Sequence, residues 1–292
     1  MRIQGYFRTL LFMLIFIGIT SGYSESPNGR TVKSKTFYQY DPRGETGSDA
    51  GVRISNTTYN PDGKIQEHFT YDHYGNVMTR EARTYDDMQH LTETVTHAAA
   101  TDVTKKMVYS YNGDILLRAD SYTDNNLTVV IEYQYNEDGK LKKMISRSPD
   151  SQITFNTENV FNSEGNLVET RSTLNGQPVG NTGIRKTASG NITAKIGRDG
   201  DLLQSVEKRV DDKGRLKETI FYDASGRITN KTSNNYDEQG HISEVINEIP
   251  SADIKTRKVR TYNDDGQMIE EIHYNKNDVP VKGVRVVYDY YE

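Results

Sequence analysis

The sequence predicts an all-β chain, an extended or curled antiparallel meander of about 18 strands made of tandem β-hairpin repeats. A seven-residue motif, written YNDDGQM at 262–268, recurs along the chain. Its turn glycines recur at regular spacing, and an aliphatic residue follows each of the clear ones by two positions. The stretches between turns alternate with a period of two, as Leu216, Glu218 and Ile220 do, and this period is typical of strands.

The composition is consistent with many strands joined by tight turns. The 292 residues include 20 Tyr, 23 Gly and no Cys, and only 34% are hydrophobic. Abundant Tyr, Thr, Asn and Gly, with charges of both signs interspersed, favour strands and turns over disorder. The net charge is −5, and no basic stripe is visible in the sequence. We therefore predict that nucleic acid is not a partner.

The first residues have the pattern of an export signal, which we assign to 1–24. Arg2 and Arg8 precede an apolar run over 10–19, and small and polar residues follow. Cleavage is expected near Gly22 or Ser24; an uncleaved N-terminal anchor is the alternative, although the run is short for a membrane span. The mature chain is predicted to be exported, to the periplasm, the cell surface or the exterior, and to fold without disulfides.

A repeat of about 26 residues, with two turns in each copy, follows from the turn spacing. One series of turns is assigned to Gly63, Gln89, Gly113, Gly139, Gly165, Gly190, Gly214, Gly240 and Gly266. The other is assigned to Gly75, Thr101, Asn125, Ser151, Gly176, Gly200, Gly226, Ala252 and Asp278. The repeat domain is predicted over 52–292, after a leader at 25–51 with a degenerate first repeat. Each series would lie along one edge of the sheet.

The turn motif predicts its own geometry. In the copy at 59–65, Asn60 can cap the turn, Pro61 has a fixed φ, and Gly63 can adopt the left-handed conformation of a hairpin with a G1 bulge. That geometry places Tyr59 opposite Ile65 on one face. We expect the repeated pairs to form an aromatic ladder inside each edge and the tyrosines to gather on one concave face.

A stripe of glutamates follows the first series of turns by four positions. Its members are Glu67, Glu93, Glu169, Glu218, Glu244 and Glu270. Extending the turn register places Glu93 opposite Arg83, Glu218 opposite Lys208 and Glu270 opposite Arg260. The stripe is therefore interpreted as a charge ladder that fixes register, with a cation- or ligand-binding row as the alternative.

The pattern [YF]-[DN]-x-x-G-x-[ILVM] resembles the YD repeats of Rhs-type and related bacterial surface proteins, and it is similar to short hairpin repeats of the MORN-variant kind. Clear copies lie at 59–65, 71–77, 135–141, 161–167, 222–228, 236–242 and 262–268, and the resemblance spans about 40–290. It implies strips of hairpins that wind into a β-shell, and carbohydrate binding for some members. The stretch at 41–44, DPRG, is interpreted as a degenerate turn rather than a cleavage signature.

No catalytic motif is present in the sequence. It contains no nucleophile elbow, phosphate-binding loop or HExxH motif. His68 and His73 lack a third ligand for a metal, and the acidic turns at 136–139 and 263–266 supply too few oxygens for calcium. We predict no enzyme activity, no cofactor and no catalytic or metal-binding residues, and no single ligand-binding residue is indicated.

An outer-membrane barrel is not favoured, because polar strand centres at 142–147 and 230–235 cannot form a lipid-facing band. The chain is therefore predicted not to span a membrane after signal cleavage. The preferred function is an exported, non-enzymatic binding or scaffold protein, whose partner is a polysaccharide or another envelope protein. The alternative is a protein-interaction or shell module that uses its concave face or an uncovered edge at 281–288. A hydrolase is less favoured than either.

Overall fold

The computed structural model describes residues 30–44, 51–187, 190–197 and 200–292, so the predicted signal at 1–24 lies outside the described residues. The described part is all-β apart from one short 3-10 helix, Pro250–Ala252. The strands are β1 Val32–Tyr40, β2 Val52–Tyr59, β3 Ile65–Tyr71, β4 Val77–Tyr85, β5 Leu91–Ala98, β6 Val103–Asn112, β7 Ile115–Thr123, β8 Asn126–Tyr135, β9 Leu141–Arg147, β10 Thr154–Phe161, β11 Leu167–Leu174, β12 Gln177–Thr187, β13 Gly190–Ile196, β14 Leu202–Val210, β15 Leu216–Asp223, β16 Ile228–Tyr236, β17 Ile242–Ile249, β18 Ile254–Tyr262, β19 Met268–Tyr274 and β20 Pro280–Tyr290. No helix in these described ranges is long and apolar enough to cross a membrane.

The strands form a closed ring rather than an open sheet. Each strand pairs antiparallel with the next along the chain, and β20 pairs antiparallel with β1. Val286 lies opposite Phe37, and Tyr288 lies opposite Lys35. The prediction of an antiparallel meander of hairpins is confirmed, but the open form is wrong. The 20 strands are close to the predicted number of about 18, and β1 lies within the segment 25–51.

Closure gives every strand two neighbours. Twisted antiparallel sheets coil, and an even number of strands lets the first and last strands meet in antiparallel pairing. The edge groups that we expected on 281–288 are therefore bonded to β1, and strand addition at that edge is excluded by the fold. At about 4.8 Å per strand and ordinary strand tilt, a round barrel of this size has a backbone diameter of about 40 Å.

The turns follow the chemistry that the motif predicts. The Asn60 N–H donates to the Lys64 carbonyl at 2.8 Å, and the Gly63 N–H donates to the Asn60 carbonyl at 2.9 Å. The Asn60 side chain accepts the Lys64 N–H at 2.8 Å, so it caps the turn as expected. Gly63 has φ of 77°, which is the left-handed conformation. The same two backbone bonds recur at most turns of the first series, and in the second series at Gly75, Gly200, Gly226 and Asp278.

Several of the turns without glycine were assigned correctly, and four positions were not. Gln89, Asn125 and Asp278 have positive φ, as the spacing predicts. At three other turns the left-handed residue lies one position later than we assigned it, at Asp102, Gln152 and Asp253 instead of Thr101, Ser151 and Ala252. Asp and Gln tolerate this conformation better than Thr, which is β-branched. Gly190 is not a turn residue, because it begins β13.

The register of the hairpins contains one more bulge residue than we predicted. Tyr59 lies opposite Ile65, which is confirmed, but the next pair is Thr58 with Glu67, and Gln66 is left unpaired. Repetition of this bulge moves each glutamate of the stripe by one position. The predicted partners Arg83, Lys208 and Arg260 are therefore wrong: Glu93 lies opposite Thr84, Glu218 opposite Arg209 and Glu270 opposite Thr261.

Candidate functional site

The register divides the barrel wall into two faces of different chemistry. One face carries Thr57, Tyr133 and Glu271 and is rich in hydroxyl groups; we call it the hydroxyl face. The other carries Glu67 and Arg147 and is rich in salt bridges; we call it the ion-pair face. Because successive residues of a strand point to opposite faces, the pairing of all 20 strands assigns each strand residue outside the bulges to one face or the other.

The ion-pair face balances its charges. Acidic residues within its strands are Glu67, Glu93, Asp120, Glu132, Glu158, Glu169, Glu207, Glu218, Glu244, Glu248, Glu270 and Asp289, and basic ones with described side chains are Arg53, Arg80, Lys106, Arg118, Lys143, Arg147, Arg171, Arg209, Lys231, Lys255, Arg257 and Arg285. Glu218, for example, lies 3.2 Å from Arg209 and 2.7 Å from Lys231. Glutamates of the stripe pair with basic residues, as a charge ladder predicts, although not with the residues that we expected; the role of the ladder in fixing register stays a prediction.

The aromatic ladder lies at one rim, on the hydroxyl face. Six tyrosines at this rim donate their hydroxyl hydrogen to a carbonyl of the preceding strand: Tyr85 to Ile65, Tyr111 to Leu91, Tyr135 to Leu116, Tyr236 to Leu216, Tyr262 to Ile242 and Tyr288 to Met268. Turn residues stack on these rings, as His90 does on Tyr111 and His241 on Tyr262. These tyrosines therefore couple neighbouring repeats and are not free to bind a ligand by their hydroxyl groups.

The two aromatic series lie on opposite faces, so our expectation that the tyrosines gather on one concave face is wrong. Tyr71 belongs to the second series, and it lies on the ion-pair face beside Phe69, with the Arg53 guanidinium 3.9 Å from its ring centre. Tyr274 is placed in the same way beneath Arg257. The aromatic residues of both series lie at the end of a strand, directly before a turn. The strands of the two series run in opposite directions, and the bulges change the face on which the last residue of a strand lies.

The most buried cluster is on the hydroxyl face, across β6 to β9. It contains Leu116, Ala119, Ile131, Tyr133 and Met144. Tyr133 is 6% exposed, and its hydroxyl has no hydrogen-bond partner among the described residues. Burial raises the pKa of this phenol, and nearby tyrosines add to the effect. Most of the other buried residues also lie on this face: Thr57, Tyr59, Ser121, Ser146, Glu271, Val284 and Val286.

The remaining hydroxyl face is mostly uncharged and polar. Its hydroxyl and amide residues include Thr70, Thr79, Thr94, Thr96, Thr157, Asn159, Thr170, Ser172, Thr182, Thr193, Thr219, Thr232, Asn234, Asn247 and Thr256. Several bond across strands, for example Thr232 to Asn247 at 2.8 Å and Thr70 to Thr79 at 2.7 Å. Aromatic rings are interspersed among them, including Tyr109, Phe155 and Phe221.

Where this face is charged, it is mostly basic. Basic residues inside its strands are Lys35, Arg83, Lys105, Lys195, Lys208, Lys258, Arg260 and Lys282, whereas the acidic ones are Glu81, Asp223 and Glu271. No basic stripe is visible in the sequence because these residues are dispersed along the chain and the acidic residues of the other face lie between them. Only the alternation of faces, followed through every bulge, separates the two sets.

The densest basic group surrounds Glu271 on β18 to β20. Glu271 accepts Arg260 Nε at 2.8 Å and His273 Nε2 at 2.5 Å, and Lys258 Nζ lies 3.7 Å away. Burial alone would raise the pKa of Glu271, but the bonds from Arg260 and His273 and the charge of Lys258 outweigh it, so the pKa is lowered. Glu271 is therefore ionised at neutral pH, and His273 must donate the hydrogen that they share.

His68 and His73 are not brought together into a metal site. His68 lies on the hydroxyl face, where its Nδ1 is 2.8 Å from the Thr57 hydroxyl. His73 is in the turn after β3, and its ring centre lies 3.6 Å from that of Tyr74, with the two ring planes tilted by 44°. In the part of the chain that the structure describes, no three His, Asp or Glu residues are grouped closely enough to hold a metal ion.

No family model matches the chain, and no curated protein matches it either. Among solved structures, it is similar to a TcdB2–TccC3–Cdc42 complex over 86% of this chain and 18% of that one, at 10% identity and a TM-score of 0.36. It is also similar to a porin-like protein from Bacteroides uniformis over 88% and 98%, at 10% identity and a TM-score of 0.37. A porin-like protein from Bacteroides vulgatus gives 12% identity and a TM-score of 0.34, over 89% and 99%. At these scores the likeness assigns neither a family nor a function.

Proposed function

We propose that the chain is an exported, non-catalytic binding protein that holds a carbohydrate against the hydroxyl face of its barrel. The observation that carries this proposal is the composition of that face, where hydroxyl and amide side chains surround aromatic rings, as at Tyr109 and Phe155. A sugar ring has an apolar face that packs on an aromatic side chain, and its hydroxyl groups exchange hydrogen bonds with groups that both donate and accept.

Crowding supports the placement of this face on the concave side. In a ring of 20 strands the wall turns by about 18° per strand, so side chains converge on the inside and spread apart on the outside. Most of the buried residues lie on the hydroxyl face, although no further layer of strands covers it in the described residues. Small side chains such as Ala119 and Ser121, both at most 2% exposed, are the ones that fit such convergence.

The proposal assigns the ion-pair face to the outside, in contact with water. Its strand centres carry paired charges, such as Glu132 with Arg147 at 2.8 Å. Exposed ion pairs of this kind keep a surface soluble and discourage association of sheets.

Two matched substitutions test which face binds. Asn234 lies on the hydroxyl face, and the next residue, Asn235, lies on the ion-pair face. Each side-chain amide donates one hydrogen bond, at 2.9 Å and 2.5 Å. The purified mature chain is first screened on a glycan array. For the glycans that bind, Asn234→Trp is expected to weaken binding at least tenfold, whereas Asn235→Trp leaves it unchanged. Absence of binding to any glycan, or equal loss in both variants, contradicts the proposal.

Enclosure of a second polypeptide is the other candidate function, and ring closure favours it. A round barrel of this strand number is wide enough, at about 40 Å, to surround a small folded or extended chain. Native mass spectrometry of the protein recovered from its producing cells tests this candidate. A bound polypeptide at fixed stoichiometry supports enclosure, whereas a bound sugar supports the first proposal.

A further inference from the structure

We infer that the basic group on β18 to β20 is a binding site for an acidic group, a carboxylate or sulfate, on the ligand's sugar. This inference rests on the proposed function, since it names the class of carbohydrate that the hydroxyl face takes. The site consists of Lys258, His273 and Lys282 in one row across three strands, with Arg260 beside them.

Three basic side chains lie in one row across β18 to β20. His273 lies directly opposite Lys258 on one side and directly opposite Lys282 on the other. Side chains at directly opposite positions are about 5 Å apart at Cβ, so the two lysines flank the imidazole. Burial lowers the pKa of His273, and the charges of both lysines lower it further, against the opposing effect of Glu271. The row therefore consists of two ammonium groups beside a neutral imidazole.

Both carboxylate oxygens of the local anion, Glu271, already have hydrogen-bond partners. Glu271 is the acidic residue of this group, and its two carboxylate oxygens are bonded to Arg260 and His273. Its side chain is 12% exposed, so it is a buried anchor that fixes the positions of its neighbours. Lys258 is 3.7 Å from the carboxylate and 36% exposed, and Lys282 has no ion-pair partner among the described residues. Two ammonium groups therefore remain able to bind an external anion.

The two faces of the barrel differ in how far their charges are paired. On the ion-pair face, acidic and basic residues pair closely, for example Arg80 with Glu67 and Lys255 with Glu248 at 3.0 Å. The hydroxyl face has basic residues in excess, and this excess is most concentrated near Glu271. A wall that neutralises its charges on one side and leaves them in excess on the other is suited to a ligand that supplies the missing anions.

The site is tested by removing its two lysines together. Lys258→Gln/Lys282→Gln keeps a polar side chain of similar size at each position but removes two positive charges. The matched control is Lys142→Gln/Lys217→Gln, which removes two charges from exposed bulge positions of β9 and β15. Because both doubles have the same net charge, long-range attraction of a polyanion is reduced equally in each.

Binding is measured with three polymers: polygalacturonate, dextran sulfate and neutral dextran. The lysine variant is expected to lose about tenfold or more in affinity for the two acidic polymers, as expected for loss of charged hydrogen bonds, and the control less than about twofold. Comparing polygalacturonate with dextran sulfate tells a carboxylate site from a sulfate site. Equal losses in both doubles, or a wild-type affinity for single-stranded DNA that matches the acidic polymers, would overturn the inference.

A small-anion measurement separates this inference from the proposed function. At constant ionic strength, 10 mM inorganic sulfate is expected to raise the melting temperature of the wild type and of the control, but not of the lysine variant, by binding linkage. A sulfate effect without polymer binding would leave the anion site intact and remove the carbohydrate proposal. Binding of neutral dextran with no sulfate effect would leave the carbohydrate proposal intact and remove the anion site.

Discussion

Two tyrosines on the same strand and the same face are predicted to respond in opposite ways to loss of their hydroxyl groups. Tyr135 donates its hydroxyl hydrogen to the Leu116 carbonyl at 2.8 Å. Tyr133 lies two residues earlier, and its buried hydroxyl has no partner among the described residues. The substitutions Tyr133→Phe and Tyr135→Phe each remove a single oxygen atom, so the packing of the ring is almost unchanged.

The magnitudes follow from hydrogen bonding alone. Tyr135→Phe loses one bond and leaves a carbonyl unpaired, which lowers the free energy of unfolding by about 1 kcal/mol. Tyr133→Phe removes a buried hydroxyl group whose desolvation is not compensated by a hydrogen bond, so the free energy of unfolding rises by about 1 kcal/mol. The two variants should therefore differ by about 2 kcal/mol, with opposite signs relative to the wild type.

Urea unfolding measures both effects. With a slope of about 3 kcal/mol per molar urea for a chain of this size, each midpoint should move by about 0.3 M, downward for Tyr135→Phe and upward for Tyr133→Phe. An unchanged slope shows that the unfolded state is not involved. A fall in the midpoint for Tyr133→Phe as large as that for Tyr135→Phe would refute the reasoning, since it would mean that the Tyr133 hydroxyl has a partner.

Three further predictions concern the Glu271 group, one rim and one turn. Glu271→Gln should lower the free energy of unfolding by about 2–3 kcal/mol, because it leaves the surrounding basic groups without their carboxylate. The pKa of Glu271 is lowered from 4.5 in the folded protein. The difference in stability from the wild type, measured by urea unfolding, should therefore be present above about pH 4.5 and fade as pH falls below it. Hydrogen bonding to Asp114 raises the pKa of His90 above 6.5. The wild type should therefore be more stable than His90→Asn below about pH 6.5, and this difference should disappear as pH rises through the pKa of His90 in the folded protein. Melting temperature measured against pH checks this. Gly226→Ala should lower the free energy of unfolding in urea by about 1 kcal/mol, because Gly226 has φ of 80°. The control is Gly183→Ala, where the space for a Cβ is equally open and φ is not positive, and it should be neutral or slightly stabilising. Equal losses in the two variants would contradict the role of the left-handed turn.

The local structure of the repeats was predictable because its signals are local. Asn60, Gly63 and Ile65 lie within six residues of one another, and the turn that they specify depends on backbone chemistry alone. The register beyond the turn was not predictable to the residue. One unpaired residue, such as Gln66, changes every later pair of the hairpin, and no side-chain type marks the bulge.

Closure of the ring could not be predicted from the sequence, for a different reason. It joins β1 to β20, residues about 250 apart in the chain, and the residues that meet, such as Phe37 and Val286, look like those of any other strand. Gly283 is a local hint, because the Tyr40 ring of the paired strand occupies the position that a Cβ of residue 283 would take. The basic site depends on both register and alternation, and it became visible only when every strand was assigned to a face.

The most direct test of the account is whether β1 and β20 touch in solution. The chain has no cysteine, so Ser34→Cys/Asp289→Cys supplies a single possible pair, at positions whose native side chains are 2.6 Å apart. Under mild oxidation the closed barrel predicts an intramolecular disulfide in the monomer, whereas Ser34→Cys/Ser151→Cys, across the ring, forms none. In an open sheet the first and last strands would be about 90 Å apart. Failure of the Ser34/Asp289 pair to cross-link, or cross-linking only between molecules, would contradict the closed ring.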